Sequence, residues 1–269
     1  MREVSPERTL YLKKIAADRR NINLLRFGLL AFFFIIWEWT ASEGIIDPFI
    51  FSSPSRVVST FISLTASGEL WLHTGTSLIE TVVGFMLGTI LGTVIAVLLW
   101  WSPFMSKALD PYLVVLNSLP KTALGPIFIV WMGAGPGAII AMTLAISLIV
   151  TILDMHSGFD STDPHMIRLM QTFGATKLQI LLKLVLPSNL GGLINALKVN
   201  VGLSWVGVIM GEFLVSKAGL GYLIVYGSQV FKMDLVMATV LILAAAAALM
   251  YQCILWLERG LKKYMGVKV

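Results

Sequence analysis

Charge is scarce in this chain. Asp, Glu, Lys and Arg make up 13% of its 269 residues, while hydrophobic residues make up 57%. An ordinary soluble domain carries about 25% charged residues. Mean hydropathy is +0.84. A water-soluble globule is thereby excluded, and the chain reads as an all-α membrane protein, because backbone crossing lipid must satisfy its own hydrogen bonds. Cysteine is scarcer still. Cys253 stands alone, which excludes an internal disulfide and a cysteine-only metal site. It falls inside the last apolar run and reads as a packing residue. His73, His156 and His165 have no metal-ligand spacing. No Gly-Lys dipeptide occurs, so the chain has no phosphate loop and does not bind ATP by that route. No serine sits in a G-x-S-x-G elbow, and no strand precedes Gly133, Gly135 and Gly137 to make a dinucleotide fingerprint. With no catalytic cluster, an enzyme is the least supported class. An internal repeat is missing too.

What charge there is has an order. The net charge is +5, and the basic residues gather at the two ends: Arg2, Arg8, Lys13, Lys14, Arg19, Arg20 and Arg26, then Arg259, Lys262, Lys263 and Lys268. This is the positive-inside pattern of a membrane protein, not a nucleic-acid signal. It places both termini in the cytoplasm and requires an even number of spans. A span takes roughly 20 apolar residues, so the length accommodates about six. Residues 1–23 read as a basic amphipathic segment, capped at Ser5-Pro6, on the inner membrane face. Residues 24–257 read as the six-span domain and 258–269 as a cytoplasmic tail. No cleavable signal of ordinary form is visible.

The spans are expected at about 24–41, 74–101, 111–132, 138–155, 192–215 and 235–257. A short helix from Pro54 to about Ala66 is expected along the outer surface. Span three is broken by Pro120 and Pro126 and carries Asn117 and Lys121. It suits a gate or cavity wall, or a kinked structural helix whose lysine snorkels to the interface. In span two, Gly84, Gly88 and Gly92 form one stripe, continued by Ala96 and preceded by Glu80. Such a stripe lets another helix approach closely, within the chain or from a second subunit. Span five is unusually polar. Asn195, Lys198, Gly202, Trp205, Ile209 and Glu212 share one face, with Asn200, Ser204, Gly207 and Gly211 on the other side. A charge in hydrocarbon costs about 2.5–3.5 kcal/mol at mid-helix on insertion scales. This helix therefore faces protein or a water-filled path.

The most organised polar element is the loop of about 156–191. Asp163-Pro164 starts a short helix, Gly174 breaks it, and a second helix runs from about Lys177 to Leu186, ended by Pro187. The apolar Met166, Leu169, Met170 and Phe173 have no lipid to enter. Two short helices at a sharp angle make a projecting knob that fits a protein cleft.

This loop resembles the cytoplasmic loop of the membrane-spanning subunits of bacterial ABC importers, whose motif is E-A-A-x3-G-x9-I-x-L-P. Gly174 stands at the glycine, Leu184 at the isoleucine, and Leu186-Pro187 at the final pair. Arg168, Leu169 and Met170 replace E-A-A. The stretches SSPSR (52–56), GELW (68–71), LPKTALGPIFIVWMG (119–133) and GLGY (219–222) resemble the nitrate, sulfonate, taurine and bicarbonate branch. The resemblance implies a type I importer permease core (MetI-like) and two copies paired as a homodimer. It also implies two ATPase subunits, which hold the ATP and magnesium, and an external binding protein. Arg168, Leu169, Met170, Phe173, Gly174, Ala175, Leu184, Leu186 and Pro187 would then meet the ATPase. Asn117, Lys121, Lys198, Asn200, Ser204, Trp205 and Glu212 would line the path. The branch implies a small anion; a neutral or cationic vitamin precursor stays open. Two rival classes are a secondary carrier, which would show internal repeats, and a ligand-capturing subunit of a vitamin importer, which would lack the loop motif.

Overall fold

Proline opens many of the helices. The computed structural model describes residues 6–264, and no strand occurs among them. Ser5, the expected first cap, lies outside the described residues, as do Arg2 and Lys268. Pro48, Pro54, Pro103, Pro136 and Pro164 each stand first in their helix. There the missing N–H costs nothing and the fixed φ suits the turn. Before four of them sits a residue whose side chain accepts from an early helical N–H: Asp47, Ser53, Ser102 and Asp163.

The helices are α1 (Pro6–Ser42), α2 (Pro48–Phe51), α3 (Pro54–Ser67), α4 (Glu69–Trp101), α5 (Pro103–Ser118), α6 (Gly125–Met132), α7 (Pro136–Asp160), α8 (Pro164–Thr172), α9 (Lys177–Ile180), α10 (Leu186–Ser188), α11 (Leu190–Val215), α12 (Leu220–Gln229) and α13 (Met233–Tyr264). Five helical stretches are long and apolar enough to cross a membrane, in α1, α4, α7, α11 and α13. A bent pair, α5 with residues 121–132, turns by 87° and makes a sixth if its two arms count as one span.

Three expectations about boundaries change. The basic segment and span one form a single helix, α1, because Asn21-Ile22-Asn23 contains neither Gly nor Pro to stop it. Span three begins earlier than Pro111, at Pro103, and Pro111 lies inside α5. Its break falls at Leu119-Pro120, where Leu119 is extended (φ −64°, ψ 140°), as a residue before proline prefers. Pro187 does not end its helix. The turn widens to a π-helix over Leu181–Val185, and Leu186 N–H bonds back to Leu181 O. The wider turn accommodates a proline that would crowd an α-turn.

The centre is a three-helix seam. Gly84, Gly88 and Gly92 of α4 face Thr143, Ser147 and Thr151 of α7, residue for residue. Matching steps in the same direction make α4 and α7 parallel. Gly207 and Gly211 of α11 face Thr143 and Ile139, in the opposite order, so α11 is antiparallel to both. A Cβ on Gly84 would sit 2.5 Å from Thr143 Cγ2, and one on Gly207 would sit 2.5 Å from Thr143 Cα. The glycine stripe is therefore used within the chain. Thr143 and Thr151 return their hydroxyls to the carbonyls four residues back, Ile139 and Ser147, so these two threonines are buried at little polar cost.

Around the seam lie α12, α13 and α3. Arg56 pairs with Asp234 at 2.9 Å, and Ser52 Oγ donates to the same carboxylate at 2.7 Å, fastening α3 to the start of α13. The span in α1 is outermost, with 6% of it buried. Glu38 holds it to α3 by accepting from Ser55 N (2.9 Å) and Ser55 Oγ (2.8 Å).

Candidate functional site

The knob stands where α7 ends and α11 begins. Asp163 caps α8, its Oδ1 accepting from His165 N at 2.8 Å. Gly174 turns the chain with φ +77°, a conformation that suits glycine. Thr176 and Gln179 then form a capping box that starts α9. The root is fastened by Asn189, whose Nδ2 donates to Thr162 Oγ1 (2.8 Å) and Val185 O (2.9 Å). Lys177 reaches across to Trp101 O at 2.5 Å and lies over the rings of Trp100 and Trp101. A cation thus meets the C-terminus of α4, where the helix dipole favours it.

The knob divides the motif residues into two sets. Ile180, Leu181 and Val185 are buried against Ala96, Met155, Phe159 and Ala196, and Met170, Ala175, Leu184 and Leu186 pack on that same cluster. These residues anchor the knob to α4, α7 and α11. Arg168, Leu169, Phe173, Gly174 and Pro187 point outward. Phe173 is 83% exposed. Met166, Leu169 and Phe173 follow i, i+3, i+7 spacing and form one apolar face.

The candidate path residues also separate. Asn200 is buried in the seam, its Nδ2 donating to Thr89 Oγ1 at 2.6 Å. Ser204 is fully buried. Trp205 packs with Phe85, Val201, Leu220 and Ile254. Glu212 is 1% exposed and serves the first turn of α12, accepting from Gly221 N at 2.5 Å and from Ser77 Oγ at 2.5 Å. Gly219 and Gly221 lie so close to Glu212 that a Cβ on either would overlap it, which explains both glycines of the GLGY stretch. In this arrangement Asn200, Trp205 and Glu212 join helices. Asn117 and Lys121 sit at the α5–α6 bend, with Lys121 Nζ donating to Asn117 O at 2.7 Å. Lys198 pairs with Glu258 of α13 at 2.7 Å and lies at one end of an apolar groove of about 720 Å³ between α11 and α13.

Residues 84–265, more than half of the chain, match the family described as binding-protein-dependent transport system inner membrane component. The chain belongs to this family. A probable ABC transporter permease protein of Haemophilus influenzae is 32% identical over 87% of this chain and 94% of its own. The putative aliphatic sulfonates transport permease protein SsuC of Bacillus subtilis is 28% identical over 88% of this chain and 87% of its own. The formylaminopyrimidine transport permease protein ThiX of Halalkalibacterium halodurans is 31% identical over 70% and 74%. Among solved structures, an inward-facing MetNI methionine ABC transporter matches with TM-score 0.60 at 20% identity, over 68% of this chain and 92% of that one. That likeness establishes the MetI-like fold.

The chain is thus an ABC importer permease subunit for small solutes, a multi-pass inner-membrane component and not an enzyme. Membership also implies an ATPase and a substrate-binding protein as partners. Several residues of structural weight escape sequence reading. Lys177 reads as a plain helix-start lysine, and its reach to α4 is a tertiary fact. His73 and Ser77 carry no motif, yet Gly219 N donates to His73 Nδ1 at 3.0 Å and Leu220 N to Ser77 Oγ at 2.7 Å. A signal for this cluster did exist: Glu80 and Glu212 are lone acids in two different apolar spans.

Proposed function

We propose that this permease couples solute passage to a separate ATPase through the outward face of the knob, Arg168, Leu169, Phe173, Gly174 and Pro187. The observation that carries this reading is a rigidly rooted element bearing a nearly naked phenylalanine. An apolar side chain so exposed, beyond the span ends, is matched by a protein cleft and not by lipid. The charge distribution supports a cytoplasmic side for the knob. ATP and magnesium belong to the ATPase, two copies of which would receive the knobs of two paired permease copies. The anchoring set Met170, Ala175, Leu184 and Leu186 passes the knob's motion directly to α4, α7 and α11.

The seam is the element we propose to switch. Ser147 Oγ, Ser204 Oγ and Trp205 Nε1 reach no hydrogen-bond partner among the described residues. Buried polar groups without partners cost roughly 1–3 kcal/mol each. A second helix arrangement that satisfied them would be close in free energy, as alternating access requires. Asn117, Lys121 and Lys198 are the path candidates least committed to packing.

For the solute, we propose a small organic anion of the sulfonate kind, supported by the likeness to the sulfonate permease. The likeness to the formylaminopyrimidine permease supports a second reading, a heterocyclic vitamin precursor. The deciding experiment is calorimetry of the cognate binding protein with taurine, an alkanesulfonate and formylaminopyrimidine. Coupling is tested by Phe173→Asp in reconstituted transporter: ATP hydrolysis without solute uptake is expected, and normal uptake would overturn the docking assignment.

A further inference from the structure

A cavity of about 840 Å³ opens at the end of the seam away from the knob, between α3, α4, α12 and the start of α13. His73 beside it and Trp101 beside the knob are roughly 40 Å apart along α4. Pockets for small organic ligands span about 300–1,000 Å³, so the size suits such a molecule. The floor is apolar: Leu64, Leu223 and Leu235 are buried there in one cluster. One wall is a ladder of near-parallel rings. Tyr226 stacks on Tyr222 at 5.9 Å between centroids, and Tyr222 on His73 at 5.7 Å. The ladder is pinned at its foot, where His73 Nδ1 accepts from Gly219 N at 3.0 Å. Ser59, Thr60 and Ser63 of α3 add hydroxyls to the lining.

Charge in the lining is uneven. Asp234 is already held: Arg56 Nη2 donates to its Oδ2 at 2.9 Å and Ser52 Oγ to its Oδ1 at 2.7 Å. Lys217 and Lys232 also line the cavity, are exposed, and make no ion pair among the described residues. Glu69 is the one acid of the lining in the same condition. Two uncommitted cations stand against one carboxylate, so the field favours an anion. Backbone contacts fix where both lysines start. Lys217 lies in the connection that Gly219 N fastens to His73, and Ala218 N donates to Ser216 Oγ at 3.1 Å. Lys232 N donates to Gly227 O at 2.8 Å, just after Phe231, whose φ of +56° is unusual for a bulky residue. We propose that this cavity binds a planar organic anion of the sulfonate kind. Its charged group is taken by Lys217 and Lys232, and its body continues the ring ladder beyond Tyr226. An inorganic anion would leave the rings and the apolar floor unused. That the ligand is the solute on its way inward rests on the permease reading above; the binding itself does not.

The test is ligand-observed NMR on the full chain in zwitterionic lipid nanodiscs, with benzenesulfonate as the probe. Saturable binding is expected, with benzylamine of the same shape and opposite charge bound more weakly. Lys217→Gln and Lys232→Gln should each weaken benzenesulfonate by up to about fivefold, the range of an exposed ion pair. Glu69→Gln should tighten it. Tyr226→Ala should weaken benzenesulfonate more than methanesulfonate, which has no ring to stack. All four side chains are exposed, so these variants keep the fold. Lys107→Gln, on the other side of the membrane, should change nothing. No saturable binding overturns the proposal, as does benzylamine bound as tightly as benzenesulfonate. So does an equal loss in Lys107→Gln, which would mean unspecific attraction to surface charge. No ATPase takes part, so failure here leaves the docking assignment standing. A cognate binding protein that takes no sulfonate would remove the solute reading and leave this affinity as measured.

Discussion

The knob and the seam solve opposite problems. The knob exposes apolar surface on a polar end of the protein, with Phe173 uncovered at its tip. The seam hides polar groups in the apolar middle, with Thr143, Ser147, Asn200 and Glu212 all buried. In a knob that docks, stability comes from the root and function from the tip, so the two can be separated by mutation. In the seam every residue does both, because glycine on one helix exists to admit a hydroxyl from the next. Local damage to the knob should therefore silence the protein without unfolding it, and local damage to the seam should unfold it.

The largest effect on folding is expected at Gly207. A Cβ there meets the Thr143 main chain, which has no rotamer to escape into. Gly207→Ala is expected to cost roughly 1–3 kcal/mol by overpacking, near the upper end, and to lower the thermal midpoint measured in detergent. The control lies five residues away on the same helix. Gly202 has nothing within 4 Å, so Gly202→Ala should be neutral or stabilise by up to about 1 kcal/mol through helix propensity. Equal losses at both positions would mean that α11 is not held to α7 by this seam.

The largest effect on coupling is expected at the tip. Phe173→Asp should weaken docking by about 2 kcal/mol or more, the range of an interface hot spot, or roughly thirty-fold. The thermal midpoint of the permease should not move. Co-purification of the ATPase and solute uptake measure the first, and unfolding of the isolated permease the second. A matching loss of stability would erase the distinction between tip and root.

How much of this was legible in the sequence follows the same division. The knob's outline rests on local rules: Asp163-Pro164 starts α8, Gly174 turns the chain, and Thr176 with Gln179 starts α9. Such signals act within a few residues, so one sequence suffices. The glycine stripe was legible as a stripe, and its partner was not. Only the fold decides that Gly84 faces Thr143 and not a second subunit. Span five shows the limit most clearly. Its polar residues have helical spacing, which says that they share a face but not what that face meets. Glu212 turned out to meet the backbone of α12, which no periodicity in α11 encodes. The π-turn at Leu181–Val185 was equally hidden, since proline within a helix normally ends it.

A smaller effect is expected at the knob's root. Lys177→Ala removes the cation from the end of α4 and from the faces of Trp100 and Trp101. Each of these contacts is worth about 0.5–1 kcal/mol at an exposed site. A loss of about 1 kcal/mol in stability is therefore expected, with ATPase affinity reduced only slightly. Lys177→Arg should restore most of it. If Lys177→Ala instead abolishes docking at unchanged stability, the lysine belongs to the tip and the root is narrower than drawn.

The smallest effect is expected outside both regions. The α1 span contributes little to the core, and Glu38 ties it to Ser55 at an exposed position. This carboxylate acts as a helix cap supplied from another helix, and losing a cap costs about 0.5–2 kcal/mol. Ser53 already caps the same turn, so Glu38→Ala should fall at the low end. Solute uptake should stay at the wild-type level, because α1 joins neither the seam nor the knob. Uptake that collapses while the thermal midpoint holds would place α1 among the moving parts, and the seam would then have to be redrawn to include it.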